Sequence, residues 1–323
     1  MRYIVIGAGA VGGTIGARLH QGGHDVLLVA RGAHLAALRD DGLRLITPEG
    51  EETLRIPATG GPVPPRAGDV LILATKSQDT VAALDGWSRD LPVVLAQNGV
   101  ANERTALRRF AAVQGVCVWL PAQHLEPGVV AAHGHPYSGM LHVGRYPQGV
   151  DDLTAQLVAD LGKHGLVARA APDVMRWKHG KLLGNLGNAV EALVGHPDGM
   201  AAVVERARAE ARAVLDRAGI AYSTPEEEAE VRGHQVDAQP IEGVRRGGGS
   251  SWQSLARGAG SIEADHLNGE IVLLGRLHGV PTPVNEVLQR EANRHAREKL
   301  PPASMPLETL NALIDERCAA GSR

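Results

Sequence analysis

Short runs of apolar residues recur through the first half of the chain, and polar or glycine-rich stretches separate them. The clearest runs lie at residues 3–6, 24–29, 69–74, 92–96, 116–120, 128–131 and 140–144. Continuous apolar runs of this length are typical of strands that are buried on both faces of a parallel sheet. Because helical patterns lie between several of them, we expect an α/β domain, with the last runs extending the same sheet.

Helical periodicity replaces the strand pattern from about Pro172 onward. We expect helices near residues 173–195, 198–219, 226–238, 250–258, 261–279 and 283–298. A chain of 323 residues is also longer than one ordinary compact core. We therefore expect two domains, an α/β domain over residues 1–171 and an all-helical domain over residues 172–323.

The first apolar run leads directly into a Gly-x-Gly-x-x-Gly motif, Gly7-Ala8-Gly9-Ala10-Val11-Gly12, and a helical pattern follows. In a Rossmann-type unit the first glycine permits a sharp turn, the second lets a pyrophosphate approach, and the third brings helix and strand together. The helix also begins with unpaired N–H groups that favour an anion. We expect residues 7–12 to bind a dinucleotide, against the alternative of a merely tight turn.

The second strand ends at Val29-Ala30-Arg31, without the carboxylate that usually binds the ribose 2′-hydroxyl of NAD. Arg31 is instead placed to pair with the 2′-phosphate of NADP. The alternative is a solvated arginine in a loop. The sequence therefore favours NADPH/NADP+ over NAD as the cofactor.

Two later apolar strands also end in polar side chains. Lys76 follows the run 69–74, and Asn98 follows the run 92–96. Ligands of open α/β sheets bind beyond the carboxyl ends of the strands, so we expect both residues at the same edge as the glycine motif. Either residue by itself would more often be an ordinary turn residue.

A helical segment in the second half carries an unusual polar face. Lys181, Asn185 and Asn188 are spaced i, i+4 and i+7, with glycines at 180, 184 and 187 beside them. A solvated face seldom carries glycine, which weakens helices by about 1 kcal/mol each. Two amides and an ammonium suit a small ligand with a carbonyl and a hydroxyl or carboxylate group. The alternative is a face that pairs with the other domain.

Composition narrows the class of protein. The 33 Lys+Arg nearly balance the 36 Asp+Glu, which argues against a nucleic-acid partner. Cys117 and Cys318 lie far apart, so we expect no metal site and a reducing compartment. No apolar run is long enough to span a bilayer, and the chain begins with a core strand, leaving no room for a signal peptide. We expect a cytoplasmic enzyme, with a homodimer as an open alternative to a monomer.

The chain resembles the ketopantoate reductase (2-dehydropantoate 2-reductase) family from residue 1 to about residue 300. The residues that carry the resemblance are 7–12, Lys76, 97–99, Lys181, Asn185, Asn188, Ser251, 261–269 and 279–285. The last two blocks are quite specific to this family, whereas the glycine motif is shared by many dehydrogenases.

The resemblance implies an NADPH-dependent reduction of a 2-oxo acid, most directly of 2-dehydropantoate to pantoate in pantothenate and coenzyme A biosynthesis. Lys181 would be the general acid, and Glu263 would hold this lysine or the substrate hydroxyl. Lys76 and Asn98 would bridge nicotinamide and substrate. The other residues that would bind the substrate are Asn185, Asn188 and Ser251.

The chain departs from the family pattern in this helix. The family's second asparagine lies eight residues after the lysine, whereas Asn188 lies seven after Lys181, and Trp177 lies four before it rather than two. A shift of register would give the acid role to Lys178. Ile262 also replaces the family's threonine before the glutamate, which leaves the substrate open.

Two other functions stay open. One is a related reductase of another branched or bulky 2-oxo acid, and the other is a non-catalytic NADP-binding sensor. A sensor needs no proton donor, so the joint presence of Lys181, Glu263 and Asn98 favours an enzyme, in which a lysine can protonate and stabilise the developing alkoxide.

Overall fold

The computed structural model describes residues 1–245 and 247–321, and the chain divides into two compact units. The first unit comprises Met1–Lys178 and Thr224–Arg246, and the second comprises His179–Ser223 and Gly247–Arg323. The boundary after residue 171 stays a prediction. The units of the structure divide seven residues later, after Lys178, within the helix Val174–Asn185, and a segment starting at Thr224 returns to the first unit.

The strands are numbered in chain order. They are β1 (Arg2–Ile6), β2 (Asp25–Val29), β3 (Leu43–Thr47), β4 (Gly50–Leu54), β5 (Ala58–Thr59), β6 (Asp69–Leu73), β7 (Val93–Leu95), β8 (Val113–Trp119), β9 (Ala122–Glu126), β10 (Val129–Ala132), β11 (Gly134–Pro136), β12 (Gly139–Arg145), β13 (Leu166–Ala170) and β14 (Val236–Ala238).

The helices are numbered in the same way, and short 3-10 turns lie at Ser77–Asp79 and Glu263–His266. They are α1 (Ala10–Gln21), α2 (Gly32–Asp40), α3 (Thr80–Ala83), α4 (Asn102–Leu107), α5 (Asp152–Leu161), α6 (Val174–Asn185), α7 (Gly187–Val194), α8 (Met200–Ala218), α9 (Pro225–Arg232), α10 (Ser250–Ala256), α11 (Asn268–His278), α12 (Pro283–Arg297) and α13 (Leu307–Gly321).

The main sheet of the first unit has the strand order β13-β12-β8-β7-β6-β1-β2-β5. Its strands from β8 to β5 are parallel, and β12 pairs antiparallel with β8. All residues of β1 and β6 are buried, as expected of central strands. The strand order reverses between β1 and β6, which is where open α/β sheets bind ligands. The predicted α/β fold of this part of the chain is confirmed.

One run that we expected to extend this sheet lies elsewhere. Strand β10 pairs with β3 and β9 in a separate sheet of order β4-β3-β10-β9. Val130 of β10 is fully buried against α1, because Gly13 of that helix lacks a side chain that would reach Val130. An apolar run indicates a buried strand but not which sheet receives it.

The predicted helix over residues 226–238 is wrong in its second half. Helix α9 ends before Gly233, which adopts a φ of 49° that side chains rarely tolerate. Residues 236–238 then form β14, which pairs antiparallel with β11 in the first unit. The chain is therefore not purely helical after residue 172, although the described residues of the second unit form helices and turns.

Two predicted helices of the second unit are each divided. The segment 173–195 forms α6 and α7, separated by Leu186 alone, whose φ of −61° and ψ of −28° stay helical. The segment 261–279 forms the 3-10 turn and then α11, because Leu267 has a non-helical ψ of −89°. Within the described residues, no helix has the length and apolar character required to cross a membrane.

Candidate active site

The glycine motif forms a tight turn between β1 and α1. Gly7 has a φ of 94°, which favours glycine. A Cβ at Gly12 would collide with the Gly7 carbonyl oxygen and would lie 2.9 Å from Cβ of Ala74. Gly12 therefore permits the close approach of helix and strand that the sequence predicts.

Gly9 differs from these two glycines, since nothing lies within 4 Å of the position that its Cβ would occupy. It is the N-cap of α1, and no side chain caps this helix. The first backbone N–H groups of an α-helix have no partner within the helix. The end of α1 therefore offers donors and open space beside Gly9, which fits a pyrophosphate.

A cleft of about 310 Å³ lies at this turn in the first unit. Residues 7–9, the end of β2 with Arg31, and residues 60–62 line it. Arg31 is exposed and is the N-cap of α2, so its guanidinium is accessible at the position where a carboxylate would favour NAD. These residues fit a dinucleotide.

Sequence reasoning missed three residues of this cleft, His34, Asp85 and Trp87. His34 lies three residues after Arg31, one turn further along α2, so helical spacing was an available signal. Trp87 is buried and comes from the loop after α3, for which the sequence offers no comparable signal.

Lys76 and Asn98 follow the neighbouring strands β6 and β7, and both are half-buried. The Asn98 carbonyl oxygen accepts from Asn102 Nδ2 at 3.0 Å and from Ser77 Oγ at 3.3 Å. These bonds join the turn after β7 to the turn after β6. The structure thus brings the two strand ends together, as the parallel pairing requires.

Gln97 strengthens the same connection from within the core. Its side-chain amide donates to the Thr75 carbonyl oxygen at 3.0 Å and to Thr80 Oγ1 at 2.9 Å. Thr80 in turn donates to Asn102 Oδ1 at 2.8 Å. Buried polar networks of this kind hold a backbone in one arrangement.

Lys178 is buried beneath these strand ends. Its Nζ lies 2.5 Å from Glu103 Oε1, and the two side chains are 2% and 0% exposed. It also donates to the carbonyl oxygens of Gln97 at 2.9 Å and of Val116 at 3.3 Å. One ion pair and two hydrogen bonds therefore engage the ammonium group of Lys178.

The second unit contains the next turn of α6, with Lys181 and Asn185 both half-buried. The Asn185 Nδ2 atom is buried and has no hydrogen-bond partner among the described residues. Asn188 follows on α7, and because Leu186 keeps a helical backbone, the spacing of the polar face continues across the interruption. An unpartnered buried amide is costly, so it points to a missing partner such as a ligand.

The interruption is held by side chains of other helices in the second unit. The Leu186 carbonyl oxygen accepts from Asn268 Nδ2 at 3.3 Å, and the Leu183 carbonyl oxygen accepts from Arg208 Nε at 3.2 Å. Asn268 also donates to Asn285 Oδ1 at 3.0 Å, and Asn285 Nδ2 donates to Glu210 at 2.8 Å. Burial raises the pKa of Glu210, although donors from Val284 and Asn285 oppose this shift.

Ser251 lies in the first turn of α10 and is 4% exposed. Gly249, the N-cap of this helix, donates its N–H to both oxygens of Glu191 at 3.2 and 3.1 Å. A Cβ at Gly249 would lie 3.7 Å from Asn188 Oδ1. The start of α10 therefore lies against α7 beside Asn188.

The glycines at 247 and 248 are explained by the following helix. A Cβ at Gly247 would collide with the ring of Trp252, and one at Gly248 would lie 2.7 Å from its Cγ. This glycine run therefore lets the backbone approach the ring of Trp252 closely.

Glu263 is 4% exposed and begins the 3-10 turn before α11. The neighbouring Asp265 is exposed and accepts from Gln289 Nε2 and Asn293 Nδ2, both at 2.7 Å. The predicted site residues thus fall into two groups, residues 7–12, Arg31, Lys76 and Asn98 in the first unit and Lys181, Asn185, Asn188, Ser251 and Glu263 in the second.

Comparison with protein families covers both units. Residues 3–148 match the family "Ketopantoate reductase PanE/ApbA", and residues 173–296 match its C-terminal counterpart. A 2-dehydropantoate 2-reductase of Pyrococcus horikoshii is 28% identical over 302 residues, which are 89% of this chain and 95% of the relative.

Solved structures are similar over the same length. A PanE/ApbA family ketopantoate reductase from Ralstonia eutropha JMP134 has a TM-score of 0.77 and 29% identity, covering 93% of this chain and 99% of that one. D-mandelate dehydrogenase with NADH and anilino(oxo)acetate has a TM-score of 0.79 over the same shares of both chains. At 22% identity, the latter shows a shared fold.

Proposed function

The chain belongs to the ketopantoate reductase family, and we propose that it reduces 2-dehydropantoate to pantoate with NADPH. Membership makes the protein an oxidoreductase that acts on a 2-oxo acid with a nicotinamide dinucleotide. We propose in addition that the dinucleotide is NADPH, and we assign the residues that bind the substrate and donate the proton.

The observation that carries the proposal is the buried, unpartnered amide of Asn185 one turn after Lys181. A buried donor without an acceptor costs about 1–3 kcal/mol, which a ligand oxygen would recover on binding. Asn188 and the start of α10 with Ser251 lie on the adjoining elements. Amide and hydroxyl groups of this kind suit the carboxylate and hydroxyl of a 2-oxo acid.

The surroundings of the two lysines support Lys181 as the general acid. Lys178 already forms an ion pair with Glu103 and donates to two backbone carbonyls, and it is excluded from solvent. Lys178 could donate a proton to a substrate only if its buried ion pair with Glu103 were broken. Lys181 is half-buried, three residues further along α6, and Glu263 is the buried carboxylate that we assign to orient it or the substrate hydroxyl.

The dinucleotide, when bound, supplies the hydride that reduces the keto carbon. The residues of the chain place the substrate and manage its proton. Lys181 stabilises the oxyanion with its charge and then donates the proton that completes the alcohol. We assign Asn98 and Lys76, at the joined ends of β6 and β7, to the contact between nicotinamide and substrate.

Arg31 supports NADPH as the form used. Its exposed guanidinium lines the cleft at the end of β2, and a bidentate pair with a 2′-phosphate is stronger than any contact it would make with a hydroxyl. A cytoplasmic location and a homodimer are also part of the proposal, and sedimentation of the purified protein tests the second.

The reaction is tested by following the absorbance of NADPH with purified protein and 2-dehydropantoate. We expect turnover with a kcat/KM well above that for other bulky 2-oxo acids. Faster turnover of another 2-oxo acid would favour the related-reductase alternative. Binding of NADPH without oxidation by any 2-oxo acid would favour the sensor.

Cofactor choice is tested with Arg31→Ala. We expect its kcat/KM to fall about 10- to 100-fold with NADPH and to change less than twofold with NADH, because only one of them has the 2′-phosphate. An equal loss with both cofactors would contradict the assignment.

A further inference from the structure

His34 makes two backbone contacts that tie the glycine turn to another part of the first unit. Its Nε2 lies 2.7 Å from the carbonyl oxygen of Ala8, within the turn between β1 and α1. Its Nδ1 accepts from the N–H of Gly128 at 2.9 Å. His124 approaches the same Nδ1 with its Nε2 at 3.3 Å, its ring edge-on to that of His34.

These partners determine the form of the imidazole. A carbonyl oxygen can only accept, so Nε2 must carry a hydrogen toward Ala8. A backbone N–H can only donate, so Nδ1 must be the bare nitrogen that faces Gly128. His34 is therefore the neutral Nε2–H tautomer, and each of its ring nitrogens has a defined role.

The contact at Ala8 also determines the orientation of the next backbone donor. The carbonyl of Ala8 and the N–H of Gly9 belong to one planar trans peptide, so they point in opposite directions. A bond that holds the Ala8 carbonyl toward His34 therefore directs the Gly9 N–H the other way. The N–H of Ala8 is held too, 3.3 Å from the Val29 carbonyl oxygen.

This peptide needs an anchor because it joins a glycine to Ala8, which itself follows a glycine. Gly9 gives the backbone after this peptide access to conformations that other residues avoid, and Gly7 does the same one residue before it. Rotation of the Ala8–Gly9 peptide is therefore cheap unless a contact opposes it. No side-chain hydrogen bond caps the start of α1 among the described residues.

We propose that His34 is a positioning residue that holds the Ala8–Gly9 peptide so that the Gly9 N–H faces the cofactor pyrophosphate. The proposal rests on the proposed use of a nicotinamide dinucleotide. His34 acts through the backbone, on the part that NADPH and NADH share. Arg31, one turn earlier on α2, acts on the 2′-phosphate that distinguishes them.

The test measures the dissociation constants of NADPH and NADH with purified protein, from the fluorescence of the reduced nicotinamide and without substrate. His34→Ala should weaken both cofactors about five- to tenfold, the effect of one well-placed hydrogen bond. At saturating cofactor, kcat should change less than twofold.

Two conservative variants separate the contacts of His34. Glutamine can place its Nε2 near that of the imidazole and donate to Ala8, whereas asparagine reaches only as far as Nδ1 and can accept from Gly128. We expect His34→Gln to bind both cofactors within about twofold of wild type, and His34→Asn to behave like His34→Ala.

His133→Ala is the matched control. His133 is a buried histidine of the same unit that also joins two segments, through Gln123 Oε1 at 2.8 Å and the Gln239 carbonyl oxygen at 3.2 Å. It is absent from the residues that line the cleft. We expect it to lower thermal stability and to leave both dissociation constants unchanged.

Each other outcome overturns the proposal. Unchanged binding in His34→Ala, a loss confined to NADPH, or an equal loss in His133→Ala would each remove the assigned role. A wild type that binds neither dinucleotide would overturn the proposed cofactor as well. Wild-type binding with an unaffected His34→Ala variant overturns the role of His34 alone.

Discussion

Polar side chains near the strand ends of the first unit are bonded to one another, whereas the amide of Asn185 in the second unit is not. Asn102, Gln97 and Thr80 share one network after β6 and β7. The side chain of Asn185 is half-buried, and its Nδ2 atom is shielded from solvent but has no acceptor among the described residues. Bonded groups hold a backbone in place, and an unpartnered group keeps its hydrogen-bonding capacity for a ligand.

The two lysines of α6 repeat this contrast within one helix. Lys178 has a structural role, since its ammonium group forms an ion pair with Glu103 and hydrogen bonds to two backbone carbonyl oxygens. Lys181 lies three residues later in the second unit and is half-buried. Because Lys178 and Lys181 lie one helical turn apart, variants of the two can be compared directly.

The largest expected effect is that of Lys181→Ala on turnover. We expect kcat to fall about a thousandfold, within the range for loss of a general acid, while the dissociation constant of NADPH stays within twofold. Single-turnover oxidation of NADPH measures the first quantity. A variant that keeps a tenth of wild-type kcat would contradict the acid role.

Lys178→Met should show the reverse pattern. It leaves Glu103 charged and unpaired in the core, so the free energy of unfolding in urea should fall by about 3–5 kcal/mol. The double variant with Glu103→Leu should recover most of this loss. Arg44→Met, in an exposed pair with Glu51, is the control and should cost about 1 kcal/mol or less.

The kcat of the folded Lys178→Met protein is to be compared with that of Lys181→Ala. We expect its kcat per folded molecule to stay within about tenfold of wild type, because the acid is elsewhere. A stable Lys178→Met protein without turnover would exchange the roles of the two lysines.

His142 provides an unpartnered group inside the first unit. Both of its ring nitrogens are buried without a hydrogen bond, between Trp119 and Trp177, at ring distances of 4.7 and 4.6 Å. Burial and then the charge of Arg169 lower the pKa of this imidazole from 6.5 to about 4. The unfolded chain therefore binds a proton at a higher pH than the folded chain does.

The free energy of unfolding should consequently decrease as the pH is lowered. The contribution of His142 is complete above about pH 6.5, declines as the pH falls toward about 4, and is lost below that value. The decline amounts to at most about 3 kcal/mol. Urea unfolding of wild type and His142→Phe over this range measures it, and parallel curves for the two proteins would refute the assignment.

The smallest effects come from the two asparagines. Asn102→Ala breaks bonds to Ser77, Thr80 and Asn98, and should lower the free energy of unfolding by about 1–3 kcal/mol. Asn185→Ala removes an unsatisfied donor, so stability should be unchanged or higher. Its KM for the 2-oxo acid should rise about tenfold.

These two variants directly compare a bonded asparagine with an unpartnered one. A loss of stability in Asn185→Ala equal to that in Asn102→Ala would show that Asn185 is bonded within the protein. An unchanged KM would remove it from the substrate site.

Much of the first unit was predictable from local patterns. The apolar runs of β1 and β6 predict central strands, and the motif at residues 7–12 predicts the turn with open space at Gly9. Arg31 and the strand-end residues Lys76 and Asn98 follow from the direction of parallel strands. The placement of these residues was predictable because it depends on neighbours in sequence or on the geometry of one strand, whereas their roles stay a prediction.

Contacts between distant segments were not predictable in this way. The sheet that receives β10, the end of α9 at Gly233 and the bond from His34 to Ala8 each depend on partners remote in sequence. The interruption at Leu186 likewise depends on Asn268 of α11. Propensity describes what a segment can form, and packing chooses among the possibilities.

By itself the sequence determined the buried central strands, the glycine turn and the polar face of α6, because period, glycine and charge act locally. Only the tertiary structure decided which lysine of that helix is buried. Lys178 and Lys181 are equivalent in local sequence terms, and the difference arises because Glu103, the end of β7 and the middle of β8 surround one of them. A buried ammonium requires such partners, and folding brings them from elsewhere in the chain.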